Sequence, residues 1–91
     1  MQIRIEAHTL QRAAERGTNA QEIEDVLRTG TDVIAKGGRR AKAKVYPFQQ
    51  IRLGKYYEQK RVEVIYTVEG GTIVTVTVYV FYGRWEEQLC R

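Results

Sequence analysis

The apolar positions of this chain change period near residue 31. Before it they recur at helical spacing; after it they alternate. Ile3 and Ile5 alternate with polar neighbours over Gln2 to Glu6, which predicts a brief edge strand or an extended lead-in. The stretch from His8 to Gly17 fits a helix at about 100° per residue. On one side it carries Leu10, Ala13 and Ala14; on the other, His8, Arg12 and Arg16 stand at i, i+4, i+8. Gly17 ends it as a C-cap glycine does. Thr18 or Asn19 opens a second helix, since Thr18 with Gln21 and Asn19 with Glu22 both have capping-box spacing. Ile23, Val26 and Leu27 give that helix its buried stripe, and Gly30 terminates it. Two short helices joined by a tight turn form a hairpin whose apolar faces need a sheet.

From Thr31 the period is two. Thr31 to Lys36 predicts a strand and Gly37-Gly38 a turn. Arg39 to Tyr46 alternates Arg40, Lys42 and Lys44 against Ala41, Ala43 and Val45. Pro47 stops or bends this strand, and Gln49 to Leu53 continues it past the bend. Gly54 to Lys60 reads as a polar loop. Arg61 to Glu69 and Thr72 to Tyr82 are the clearest strands. The two-residue loop Gly70-Gly71 between them sets Val68 against Ile73, Tyr66 against Thr75, Val64 against Thr77 and Val62 against Tyr79. Val74, Val76, Val78 and Val80 then form the face beneath the helices, and Ile73, Thr75, Thr77, Tyr79 and Phe81 the more open one. The tail from Gly83 to Arg91 reads as a short helix or a docking segment. The layout is one α+β domain over residues 1–91: an N-terminal helical hairpin packed on one face of a mostly antiparallel, about four-stranded sheet.

Length and charge narrow the function. A chain of 91 residues is one domain, and its small core leaves room for a homodimer. A net charge of +4 and a pI near 9.4 favour an anionic partner, nucleic acid or an acidic protein. One cysteine, Cys90, allows no internal disulfide and fits a reducing cytosol. The first eight residues lack the apolar run of a signal peptide, and no stretch reaches membrane-spanning length, so the expectation is a cytoplasmic protein off the membrane. No spacing of Cys, His or carboxylates resembles a metal site, and no cofactor is expected.

The candidate chemistry gathers around His8, the only histidine. Arg forks suit phosphate, and imidazole transfers protons near neutral pH. Metal-free RNA cleavage needs a base for the ribose 2′-OH, an acid for the leaving 5′-oxygen and cations for the charge growing on phosphate. His8 serves as acid or base in this scheme; Arg12, Arg16 and Lys42 hold phosphate; a tyrosine donates a proton or stacks on a base. Arg39, Arg40, Lys44, Thr77, Tyr79, Tyr82 and Arg84 complete the set. Each has a plainer explanation. Arg12 and Arg16 can pair with Glu15, Glu22 or Glu24. The basic alternation of Arg40, Lys42 and Lys44 can be a solvated strand face that resists edge pairing. Tyr79 and Phe81 can be packing residues, and Trp85 beside Arg84 an interface anchor.

The pattern His8-x-x-x-Arg12-x-x-x-Arg16-Gly17, then a capped helix, then Gly38-Arg39-Arg40, then a valine-rich strand ending Thr77-Val78-Tyr79, resembles domain-of-unknown-function family 4258. The resemblance runs roughly from Ala7 to Tyr79, and the His-Arg-Arg-Gly opening is its most specific part. That family looks like a distant relative of RelE-like and BrnT-like toxins. The resemblance therefore implies a RelE/barnase-like fold, a metal-independent RNase-toxin activity and an antitoxin protein encoded beside it. Carried over, it points to His8, Arg12, Arg16, Arg40, Thr77 and Tyr79. The segment from Pro47 to Lys60 is longer than the family pattern, and Tyr82 and Arg84 lie beyond it. The leading expectation is an endoribonuclease of the toxin type, with Arg39, Lys42, Lys44, Thr77, Tyr82 and Arg84 on the RNA. The alternative is a non-catalytic module that binds nucleic acid or protein, and a third reading is self-association through the last hairpin and Trp85.

Overall fold

A computed structural model describes residues 1–85. Its elements are β1 (Gln2–Arg4), α1 (Ala7–Arg16), α2 (Ala20–Thr29), β2 (Thr31–Val33), β3 (Arg40–Arg52), β4 (Lys55–Glu69) and β5 (Thr72–Gly83). The α+β class and the helical hairpin on one sheet face are present. The sheet, however, has five strands in the order β1-β5-β4-β3-β2, not four. It is mixed, because β1 runs parallel to β5 with Ile3 beside Ile73. The remaining pairings are antiparallel. Both Cys90 and most of the tail lie outside the described residues.

Two strand expectations need correction, and one open alternative is decided. β2 stops at Val33 instead of Lys36. Pro47 bends β3 without ending it: register shifts between Pro47 and Gln50, so Phe48 and Gln49 bulge opposite Glu58 alone. Lys55 to Lys60 are not loop; β4 begins at Lys55, straight after a turn in which Leu53 and Gly54 both have positive φ, 51° and 82°. That is the hairpin geometry a two-residue turn needs, here accepted by an exposed leucine.

The β4–β5 register also departs from the expected one. Val68 pairs Ile73 and Tyr66 pairs Thr75 as expected, but beyond them Val64 pairs Val78 and Val62 pairs Val80. The shift lies at Val76, a residue extra to the ladder next to Ile65 and Tyr66. A single extra residue exchanges the faces of everything after it. The face beneath the helices is therefore Ile73, Thr75, Val78 and Val80, not an unbroken run of valines. The core joins Ala13, Ile23, Val26 and Leu27 of the helices to Val62, Val64, Tyr66, Ile73 and Val78 of the sheet.

On α1 the buried arc is Thr9 and Ala13, while Leu10 is 42% exposed. Small residues at Thr9 and Ala13 let the helix approach β5 closely. The hydroxyl of Thr75 accepts from the Glu6 amide at 3.0 Å and donates to Thr9 Oγ1 at 3.0 Å. It thereby occupies one of the amides left free at the helix start, where Glu6 provides no side-chain cap. Gly17 ends α1 in the left-handed region at φ 96°, as expected, and a Cβ there would run into the Tyr82 hydroxyl. Asn19, of the two candidates, caps α2 by accepting from the Glu22 amide at 2.9 Å. Gly30 closes α2 for a different reason: its backbone is extended, and a Cβ would lie 2.5 Å from the Val26 carbonyl oxygen.

The turn between the helices is tied to the sheet by a buried cation. Lys60 Nζ donates to the Gly17 carbonyl at 2.8 Å and to Glu22 Oε1 at 2.8 Å, with its side chain 11% exposed. Thr18 Oγ1 donates to the same Glu22 oxygen. Removing either partner strands the other, and the cost is larger when the stranded charge is Lys60, 11% exposed, than when it is Glu22, 23% exposed and still bonded by Thr18. Glu22→Ala is therefore expected to lower stability by about 3 kcal/mol, and Lys60→Met by about 1 kcal/mol. Urea denaturation of the two variants checks this; equal losses would mean that stem packing, not the ion pair, holds the turn.

Candidate functional site

The sequence-predicted residues fall into two groups that the sheet holds apart. The first lies where α1 runs along the outer edge of β5. β1 pairs only Thr72 to Val74, so among the described residues no strand lies beside the backbone of β5 beyond Val74. His8 and Arg16 occupy it. His8 Nε2 donates to the Val76 carbonyl at 2.6 Å, and Arg16 donates to the Val78 carbonyl at 2.7 Å. The i, i+8 spacing on a helix thus meets alternate carbonyls on a strand, and it caps an edge that would otherwise invite pairing. Arg12, between them, projects outward and pairs with Glu15 at 3.0 Å, the plainer of its two sequence readings.

Tyr79 and Phe81 stand on the opposite face of β5 from Val78 and Val80. They are 41% and 46% exposed, with ring centroids 6.4 Å apart. The Arg16 guanidinium lies 5.1 Å from the Tyr79 centroid, so one side chain both caps the edge and borders the aromatic pair. His8 is eight residues away on the helix, a rise of about 12 Å. Thr77, opposite Ile65, shares the Tyr79 face. Across the sheet Glu63 faces Tyr79 and Arg61 faces Phe81, and these two pair at 3.1 Å. Among the described residues no helix covers this face.

Tyr82 turns the other way. Its hydroxyl donates to the Arg16 carbonyl at 2.6 Å, its ring packs edge-on to Phe48 at 5.0 Å, and Arg52 lies 4.8 Å from its centroid. Burial pushes its phenol above the ordinary value. Tyr82 is a clamp on the end of α1. Arg84 follows β5 and borders a small cleft with Pro47, Gln49 and Glu58.

The second group is on β3, two strands from β5. Arg40 is opposite Tyr66, Lys42 opposite Val64 and Lys44 opposite Val62, so all three rise on the helix face, not on an open strand surface. Lys44 Nζ bonds Asp25 at 2.7 Å and Thr29 at 2.9 Å; Tyr46 donates to Asp25 at 2.6 Å. Lys44 is thus a strut between β3 and α2. Lys42 pairs with Asp32 at 3.3 Å. Arg39 and Arg40 are exposed at the start of the strand. The sequence missed Lys60 and Asp25 because nothing in spacing marks a buried partner for either. Among the described residues no cluster of three or more His, Cys, Asp or Glu is placed to hold a metal, and no helix is long and apolar enough to cross a membrane.

The hydrogen bond from Lys44, and then that from Tyr46, hold the Asp25 carboxyl below its ordinary value of 3.8. A carboxyl lowered in the folded state adds stability above its unfolded value, and that stability is lost as pH falls below it. Asp25→Asn is expected to cost about 1 kcal/mol near pH 7, a figure kept small because the pair is partly exposed. Thermal unfolding should show that gap closing near pH 3, where about half or more of such carboxyls protonate in the unfolded chain; an equal gap at both pH values would remove the charge from the effect. At the β5 edge, His8→Ala with Arg16→Ala leaves two strand carbonyls open. The expected outcome is a loss of about 2 kcal/mol and a new concentration-dependent association in sedimentation, against unchanged association if the edge is guarded by other means.

The model of the family described as Domain of unknown function (DUF4258) matches residues 5–80, and the chain belongs to that family. No curated protein and no solved structure matches it.

Proposed function

We propose that this member of the DUF4258 family is a non-catalytic module that binds single-stranded RNA on the uncovered face of its sheet. The observation that carries the reading is the exposed pair Tyr79 and Phe81, 6.4 Å apart, with the Arg16 guanidinium beside the first ring. Alternate residues of a strand present their rings side by side on one face. Unpaired bases stack on such rings at about 1–3 kcal/mol each, and an adjacent guanidinium adds phosphate or base-plane contact. The net charge of +4 favours the approach of a polyanion.

Binding fits the geometry better than cleavage does. Metal-free scission needs an acid and a base on one phosphate. His8 bonds a strand carbonyl about 12 Å along α1 from Arg16, the cation beside Tyr79, and Arg40, Lys42 and Lys44 rise from the other face of the sheet. Neither group supplies a partner for His8.

Fluorescence anisotropy with a labelled single-stranded RNA tests the reading. Tyr79→Ala with Phe81→Ala should weaken binding by about 30-fold or more, from two lost stacking contacts. A salt titration should retain its slope in that variant, because stacking releases no counterions. Parent-like affinity would remove the aromatic pair from the interface. Scission of the probe in EDTA that His8→Ala abolishes would instead establish the endoribonuclease implied by the resemblance to RelE-like and BrnT-like toxins, with an antitoxin as its expected partner.

A further inference from the structure

Beyond the C-terminal end of α2 no helix among the described residues roofs the sheet, and a cleft of about 460 Å³ opens there. Its floor is apolar: Leu27 from α2, Val68 and Ile73 from the β4–β5 hairpin. Its wall is basic, with Arg40 and Lys42 rising from β3 and Arg28 from α2. This volume lies in the range of small-molecule sites, which combine an apolar lining with a few placed polar groups.

Three side chains distinguish the cleft from a surface dent. Tyr66 is 4% exposed, yet its hydroxyl makes no hydrogen bond among the described residues. Among the described residues no sealed polar side-chain atom lacks a partner, so this hydroxyl is open to the cleft that Tyr66 lines. Arg40, in register with Tyr66, has no ion pair or hydrogen bond among the described residues. Lys42 is held only by Asp32, whose side chain is 83% exposed. Such a pair is worth about 0–1 kcal/mol, so Lys42 can turn to another anion at little cost.

We infer that this cleft binds a small organic monoanion, a carboxylate on an apolar body. Arg40 takes the carboxylate with its fork, the Tyr66 hydroxyl donates to it, and the body lies on Leu27, Val68 and Ile73. The Arg40 fork matches one carboxylate, and the apolar floor favours an organic body over inorganic phosphate. The site is on the helix face, separate from Tyr79 and Phe81, and does not depend on RNA binding.

Titration of the full ¹⁵N-labelled chain with octanoate, followed by amide shifts, tests it. Octanol and inorganic phosphate serve as the body without the charge and the charge without the body. The expected result is saturable shifts at Leu27, Arg40, Tyr66 and Val68 with octanoate, and responses at least about tenfold weaker with the other two. Arg40→Ala should weaken octanoate about tenfold, and Tyr66→Phe about threefold, each with an otherwise parent-like spectrum. Tyr79→Ala with Phe81→Ala should leave octanoate binding unchanged, whatever it does to RNA. Absence of saturation, an equal response to octanol or to phosphate, or parent-like affinity in Arg40→Ala would each overturn the assignment.

Discussion

The Lys60 ammonium holds the two layers of this fold together. It is nearly buried and bonds the last carbonyl of the first helical turn region, at Gly17, and the Glu22 carboxylate at the start of the second helix. A charge taken out of water needs such partners around it, and a chain that fails to bring them together leaves it unpaired. The interhelical turn therefore has one position over the sheet. That position lays α1 along β5, and only with α1 there do His8 and Arg16 reach the edge carbonyls. The Tyr82 hydroxyl on the Arg16 carbonyl closes the same corner from the β5 side.

The extra residue at Val76 is the second constraint. It lets one strand serve two environments in turn. Thr75, before it, meets the buried hydroxyl of Thr9, and Val78, after it, enters the core. Without the shift, Tyr79 would lie beneath the helices and Val78 on the open face. The exposed aromatic pair thus follows from the same irregularity that lets the buried threonines meet.

The helices, their caps and the glycine turn at Gly70-Gly71 were legible because each rests on local chemistry: a left-handed glycine, an Asn accepting a backbone amide, apolar residues at i, i+3, i+4. The facing of β5 was not, since period-two reasoning assumes an unbroken ladder and the bulge carries no glycine or proline to mark it. β1 was read as a strand, but its parallel pairing with β5 is a contact across about 70 residues that no local pattern encodes. The His8, Arg12, Arg16 row was correctly placed on one helix, yet its work differs from its chemistry in isolation. Two of the three bond strand carbonyls and the third a neighbouring carboxylate. The aromatic pair was visible as Tyr79 and Phe81 on the more open face, and there the expectation and the geometry agree.

Both open surfaces trace to a mismatch of lengths. Each helix has ten residues, a span of about 15 Å, whereas β4 and β5 have fifteen and twelve, about 40–50 Å. One layer of such helices covers neither the whole of its own sheet face nor any of the other. A domain of this size lacks the chain to add a second layer. The core can thus be completed only near Val62, Val64 and Val78, where both helices reach. Past the end of α2, Val68 and Arg40 stay exposed beside the buried Tyr66 and Ile73, and across the sheet Tyr79 and Phe81 remain open. Cations elsewhere are largely spent on structure: Lys44 and Lys60 brace the helices, and Arg12, Arg28 and Arg61 pair with glutamates. The number of cations therefore overstates what the protein offers a partner, and what remains for recognition is concentrated where the short helices leave the long strands uncovered.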